Sequence, residues 1–466
     1  MRKLKICFIV LFFAVLLIPV AAFNRESNAV SEIDNRMLAE TPFDNSEDLT
    51  ESIEIYLEDR IGLRNAMISA YTKLNDTLFH EMVHPSYTYG KDGYIFLRTG
   101  GNTEFWDYYV EFADMVHRIQ EYCEERDIPF LFVFDPAKAT VLSDELEPGT
   151  NYNNDWVDRF FEELDKRGVN YVDNTEILEE KTKEGEAVFN KQYDAGHWND
   201  LGAFYGVNNM LEALKEQWPA VHVNTMDEFD IGEWTATVLP NSEIPINDVV
   251  PDFVSRAQLE DLTGHYDAEV KRDEQNRHFA YVVNEERKAE GSPKALVFQG
   301  SYMNGQGHKF LENSLGEYIA VHDYYNVTNF DYYYNIFKPD CVIFEVGEYT
   351  ILPDYFPYES VEGMSLNPLY ESMEALPETE ADLSALNWSE ETGDTLTVIR
   401  VSGLPEDTKY AWLFLDGEEF DLKRTQGSDE YTVTVENDKL DNAQIEAAAA
   451  SDGEMVIYSS EGNTAE

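Results

Sequence analysis

The longest apolar run in the chain lies at its start. Ile6 to Phe23 is unbroken except for Pro19, and Arg2, Lys3 and Lys5 precede it. A basic start followed by such a run is a secretory signal or an uncleaved anchor. Val20-Ala21-Ala22 supplies small residues for cleavage, and 18 residues also suffice to span a bilayer. Both readings stay open, and in either the basic end faces inward and the rest of the chain lies outside the cytoplasm. Apolar spacing next predicts a helical stretch from about Asp48 to Leu78. Gly90 to Phe96 reads as an Asp-Gly turn feeding a strand.

From Glu104 the pattern becomes an alternation. Helical spacing over Glu104 to Arg126 is followed by Pro129-Phe-Leu-Phe-Val-Phe134, a continuous apolar run of the kind buried on both faces of a parallel sheet. The cycle repeats with helices near Asp155–Lys166, Asn199–Gln217, Lys309–Leu315 and Tyr332–Phe337. The accompanying strands are Val169–Val172, Ala295–Gln299, Tyr318–Val321 and Cys341–Val346. This predicts a three-layer α/β/α domain with a mostly parallel sheet over 24–370. Residues 218–290 break the rhythm and read as an irregular insertion able to act as a lid. After Pro377, short β-rich runs at Thr395–Val401, Tyr410–Leu415, Tyr431–Val435 and Met455–Tyr458 are divided by turn residues. They predict a small antiparallel β-sandwich over 378–466. Trp388, Tyr410 and Trp412 within it fit either a glycan-binding face or a core.

Composition narrows the function classes. The net charge is −57, from 91 acidic and 34 basic residues, which disfavours nucleic acid and charge-driven docking on an anionic membrane. Of the three cysteines, Cys7 lies in the leader, and Cys123 and Cys341 fall in predicted helix and strand interiors, as expected for buried free thiols.

Two segments carry the chemistry. In Tyr193-Asp194-Ala195-Gly196-His197-Trp198-Asn199 an acid precedes a histidine by three residues in a loop that opens a helix. Its carboxylate can turn onto the imidazole, fix the tautomer and stabilise the imidazolium. Gly196 is expected to permit the sharp turn. The second segment, Ala295 to Tyr302, is an apolar strand ending in Gly300-Ser301. A serine just past the C-terminal edge of a parallel strand sits where open α/β sheets place their ligands.

Asp194-x-x-His-Trp-Asn-x-x-Gly-Ala203, paired with the later strand-Gly-Ser, resembles the DHHW proteins and alginate O-acetyltransferases. These form a branch of the SGNH hydrolases in which Asp and His precede the nucleophile. Val30–Leu38, Asp135-Pro-Ala-Lys138 and Pro339–Glu345 extend the resemblance, which covers roughly 24–360. It implies Ser301 as nucleophile, His197 as general base and Asp194 as its orienter, with no cofactor. It also implies acetyl transfer or removal on an exported polysaccharide, commonly beside a membrane-bound protein that delivers the acyl donor. Lys138 and Tyr302 are oxyanion or substrate-binding candidates by position, and Trp198 and Asn199 join them. The family usually shows Gly-Asp-Ser, whereas this chain has Gln299-Gly300-Ser301. That departure favours, as the alternative, a non-catalytic glycan-binding or assembly protein on the same fold.

One rival motif remains. His80-Glu81-Met82-Val83-His84 matches His-Glu-x-x-His, which on a helix would aim two imidazoles at zinc with Glu81 as base. Pro85 follows at once and stops such a helix, which makes a zinc peptidase the lesser reading. His308 is a second candidate base by its closeness to Ser301, and Tyr324, Tyr325 and Tyr332–Tyr334 are candidate sugar-stacking residues.

Overall fold

The computed structural model describes residues 2–26, 30–31, 36–39, 41, 49–79, 81–84, 86–98, 104–150, 152–240, 242, 244–373, 375–425 and 427–460. The leader forms α1 (Arg2–Ala21), whose apolar side chains are exposed along its length and which is long and apolar enough to cross a membrane. The next predicted helix is two, α2 (Leu49–Arg60) and α3 (Arg64–Phe79). The chain breaks between them because Leu63 adopts a left-handed backbone, with φ of 64°. A short hairpin follows, β1 (Tyr87–Tyr89) against β2 (Ile95–Leu97), and Asp92 and Gly93 supply the positive φ angles its turn requires.

The central sheet has seven strands among the described residues. In chain order they are β3 (Phe130–Asp135), β4 (Tyr171–Asp173), β5 (Glu260–Asp261), β6 (Phe279–Val283), β7 (Lys294–Gln299), β8 (Glu317–His322) and β9 (Cys341–Gly347). Their spatial order is β4-β3-β9-β7-β8-β6-β5, parallel from β4 to β8 and antiparallel at β6 and β5. Alternation along each strand feeds two cores. Phe130, Phe132, Phe134, Phe298 and Phe344 pack on one face with the helix Asp107–Glu124, while Leu131, Val133, Val297 and Ile343 pack on the other with the helix Asp200–Gln217. Buried on both faces, the strands carry no polar alternation, and the sequence reads as continuous apolar runs.

Residues 218–290 are not irregular. They hold a long two-stranded ribbon, Phe229–Val238 against Pro245–Ser255, and then β5 and β6, which extend the main sheet. The ribbon is mostly exposed, and its polar, charged strands hide the β pattern; Phe253 and Phe229 pin it to Phe204 and Phe310.

The C-terminal residues form a five-stranded and a four-stranded sheet among the described residues, sharing one core of Ile399, Val401, Val433, Leu413, Phe420, Ala447 and Tyr458. Pairing is antiparallel except between Glu378–Asp382 and Met455–Ser459, which run parallel. Ala447–Ala450, unremarkable in sequence, belongs to a central strand, where Ala448 stands opposite Trp412 and its small side chain leaves room for the indole. Trp412 is fully buried and donates to the Pro368 carbonyl, so it is a core residue and not a glycan platform. Asp421 ties this unit to the α/β sheet: it accepts from the Tyr122 hydroxyl at 2.7 Å and its backbone pairs with Asn335, while Arg126 stacks on Tyr122 and bonds Glu419.

Candidate active site

The site lies at the C-terminal edge of the parallel strands. Asp194 takes a left-handed backbone, φ 54°, and this folds its carboxylate back over the following residues. Its Oδ1 accepts from the backbone N–H groups of Gly196 and His197 at 3.2 and 3.0 Å and meets His197 Nδ1 at 2.8 Å. The tight turn is thus made at Asp194, not at Gly196. A Cβ at 196 would lie 2.5 Å from Leu97 Cδ1, so glycine there spares the Leu97 side chain a shift.

With Nδ1 donating to the carboxylate, the ring presents the lone pair of Nε2. That nitrogen lies 2.7 Å from Ser301 Oγ, across 104 residues of sequence. Burial opposes charge on both members of the Asp194–His197 pair. Their mutual attraction, helped by the two amides, outweighs it: the Asp194 pKa is held below the ordinary carboxylate value and the His197 pKa above the ordinary imidazole value.

Ser301 follows β7 and begins a helical run that continues through a π turn at Met303–Gly307 into the helix His308–Ser314. The turn is fixed from behind, where Gly300 N–H donates to Glu345 Oε2 at 2.7 Å and Asn304 N–H to the Gly300 carbonyl. Glu345 belongs to a fully buried group with Asp135 and Asp323. Burial, with the neighbouring carboxyls, raises the Glu345 pKa well above the ordinary range, and burial raises that of Asp135 to about 7. A Cβ on residue 300 would stand 3.6 Å from Asp323 Oδ2 and 3.7 Å from Glu345 Oε2. The space into which an aspartate at 300 would project therefore already holds carboxyl groups, which is a physical reason for glycine there. Gly300→Asp is expected to lower stability by several kcal/mol, the scale of an uncompensated buried charge, whereas Gly300→Ala meets only ordinary contacts. The shift in urea midpoint measures the difference.

The four proposed oxyanion or substrate contacts spend their hydrogen bonds inside the protein. Tyr302 is fully buried, its hydroxyl lying between the carbonyls of Pro136 and Gly196 and its ring edge-on to His197 at 5.0 Å. The single N–H of Trp198 goes to the Tyr302 carbonyl. Asn199 caps the helix Asp200–Gln217 by accepting from Leu201 and Gly202 N–H, while its amide donates to Ala187 and Asn190. Lys138 donates to the carbonyls of Ile95 and Lys191, and burial lowers its pKa to about 7. These side chains build the histidine loop rather than face a ligand.

Sequence reasoning missed Tyr349, whose hydroxyl also lies 2.7 Å from His197 Nε2. It follows β9 as Ser301 follows β7, and that shared position at a strand end was the available signal. Burial raises its pKa well above the ordinary phenol value, so it stays protonated and acts as a hydrogen-bond donor. His308 is turned onto the Met303 carbonyl. In the zinc motif, His80 lies outside the described residues, Glu81 is exposed, and buried His84 stacks on Tyr87 with ring centres 4.6 Å apart. Among the described residues no three His, Cys, Asp or Glu side chains form a metal-binding group.

A family model described as "SGNH hydrolase-like domain, acetyltransferase AlgX" matches residues 88–238, which include Asp194 and His197. Over that stretch the chain is similar to an SGNH hydrolase-like domain of the AlgX kind. Ser301 lies beyond the match. Solved structures similar to the chain include Bacillus cereus PatB1, at 14% identity over 57% of this chain and 97% of that one, TM-score 0.45. The O-acetyltransferase domain of Pseudomonas putida AlgJ follows at 17% identity over 60% and 100%, TM-score 0.41. A DHHW family protein from Eubacterium siraeum has 14% identity over 59% and 94%, TM-score 0.42. No curated protein gives a significant match.

Proposed function

We propose that this protein is an extracytoplasmic serine O-acyltransferase or esterase that acts on acetyl groups of an exported polysaccharide. One observation carries the reading: the run of contacts from Asp194 through His197 to Ser301 Oγ, at 2.8 and 2.7 Å. Ser301 Oγ attacks the acyl carbonyl while His197 Nε2 takes its proton. The tetrahedral intermediate collapses, and the imidazolium returns that proton to the leaving oxygen, which leaves an acyl-serine. A sugar hydroxyl, or water, then gives its proton to His197 and attacks the acyl carbon; the Ser301 Oγ–acyl bond breaks, and the imidazolium returns the proton to Ser301 Oγ. The Tyr349 hydroxyl, beside Nε2, holds the imidazole in place once Ser301 is acylated and has no proton to share. The family match over 88–238 supports acetyl as the group moved. Residues 24–370 form the catalytic unit in this reading and 378–466 an accessory β-rich module. A membrane-bound partner supplies the acyl donor, and no nucleic acid takes part.

The chain lacking its first 23 residues is expected to release p-nitrophenol from p-nitrophenyl acetate. The sign of the pH dependence follows from His197. Only the neutral ring can accept the serine proton, and the Asp194 carboxylate raises the pKa of that ring. The acid limb of kcat/KM should therefore lie above the ordinary histidine value of about 6.5, with activity lost as pH falls through it. A limb centred in the range of an unpaired carboxylate counts against His197 as the base. A non-catalytic glycan-binding role predicts no turnover at any pH.

A further inference from the structure

The helix α3 is amphipathic the wrong way round for a soluble protein. Its buried side carries Thr72 and Asn75, 1% and 9% exposed, whereas Met67, Tyr71, Leu74 and Leu78 are 43%, 60%, 55% and 62% exposed. Asp76, on the side away from these apolar residues, accepts from the Tyr89 hydroxyl and ties the helix to the β1–β2 hairpin. At about 100° per residue, Ala66, Ala70, Leu74, Met67, Leu78 and Tyr71 fall on one arc of about 140°. Thr77, within that arc, closes its hydroxyl onto the Lys73 carbonyl at 2.7 Å. The two cations of the helix, Lys73 and Arg64, flank the arc on either side.

The position of this arc is set by α1. Gly62 N–H donates to the Pro19 carbonyl at 2.9 Å and Asn24 N–H to the Arg60 carbonyl at 2.8 Å, and Gly62 abuts Ala22 so closely that it has no room for a Cβ. The start of α3 is thus held against the end of α1 opposite Arg2, Lys3 and Lys5, the end that would emerge on the outer face of a membrane.

From these observations we infer that α3 lies in the outer leaflet of the membrane that α1 crosses, with its apolar arc at the boundary between headgroups and acyl chains. Lys73, exposed beside the arc, reaches up to the headgroups, as a cation flanking such an arc does. The breadth of the arc fits a lipid surface better than a coiled-coil seam, which is a narrower stripe. The attraction is apolar and local, so the acidity of the rest of the chain does not oppose it. The inference rests on the reading of α1 as a retained anchor. It places the serine site on a unit held close to the membrane by two elements, not swinging on one.

The test uses the full chain with Cys7→Ser in phosphatidylcholine nanodiscs. Nitroxide labels are attached at Leu74→Cys and, as a control on an exposed face of the α/β unit, at Lys183→Cys; Cys123 and Cys341 are buried. Power-saturation spectroscopy should give a ratio of oxygen to nickel-chelate accessibility several-fold higher at 74 than at 183. A ratio at 74 equal to the control, with intact mass showing α1 retained, overturns the inference and leaves the anchor standing. Loss of both accessibilities at 74, or spin–spin broadening that grows with loading, assigns the face to a protein partner or a second copy and also overturns it. Loss of residues 1–22 from chains produced in an exporting cell rejects the anchor reading itself.

Discussion

Ser301→Ala should lower turnover of p-nitrophenyl acetate by about four orders of magnitude or more in kcat, the scale seen when the nucleophile of a serine triad is removed. The size of the effect follows from the geometry. Two hydroxyls lie 2.7 Å from His197 Nε2, those of Ser301 and Tyr349. Burial holds the phenol protonated and its ring packs on Tyr302, so the serine is the hydroxyl assigned the attack. The substitution removes one oxygen from a half-buried position, and the thermal midpoint should move little. A rate equal to that of the unaltered chain would reject the assigned nucleophile and transfer suspicion to Tyr349 or to a group elsewhere.

Asp194→Asn should cost about 10³- to 10⁴-fold in kcat with KM nearly unchanged. Asparagine is the informative replacement because Asp194 has positive φ, a conformation that asparagine tolerates and alanine does not. Its amide oxygen can still accept from Gly196 and His197 N–H, so the loop keeps its shape. What changes is the ring. An amide N–H facing Nδ1 favours the tautomer with the proton on Nε2, which then points at Ser301 a donor in place of a lone pair. The carboxylate that raised the His197 pKa is also gone, so any residual acid limb should move to lower pH. Activity within a few-fold of the original would show that the carboxylate does not orient the base.

Much of the α/β order was legible because the strands are buried on both faces. Phe130 to Phe134 and Leu296 to Phe298 have no polar interruption, and their lengths distinguish them from helices. The ribbon of 229–255 was not, since it lies on the surface and its exposed strands carry Asp, Glu, Thr and Pro at positions a buried strand would fill with apolar residues. The alanine strand Ile445–Ala450 was hidden for the opposite reason: alanine has low strand propensity, and it occurs there because Trp412 fills the space opposite.

At the site, the spacing of Asp194 and His197 was readable because a carboxylate three residues before a histidine closes a local loop with its own amides. Gly300 was readable only as a departure. Its explanation needs Asp323 and Glu345, carried by the connection after β8 and by β9, and no local pattern announces that these carboxyls converge behind the nucleophile. Tyr349 and the inward-turned bonds of Lys138, Tyr302, Trp198 and Asn199 are likewise contacts between distant segments. The sequence by itself determined the buried strands and helices of the α/β unit, the apolar leader and the local acid–histidine pair, since each depends on neighbours a few residues apart. Only the tertiary structure decided that Ser301 meets that histidine and that Tyr349 joins them. Parallel strands brought together by long crossovers set side chains beside one another at a common edge, and chain order carries no record of that distance.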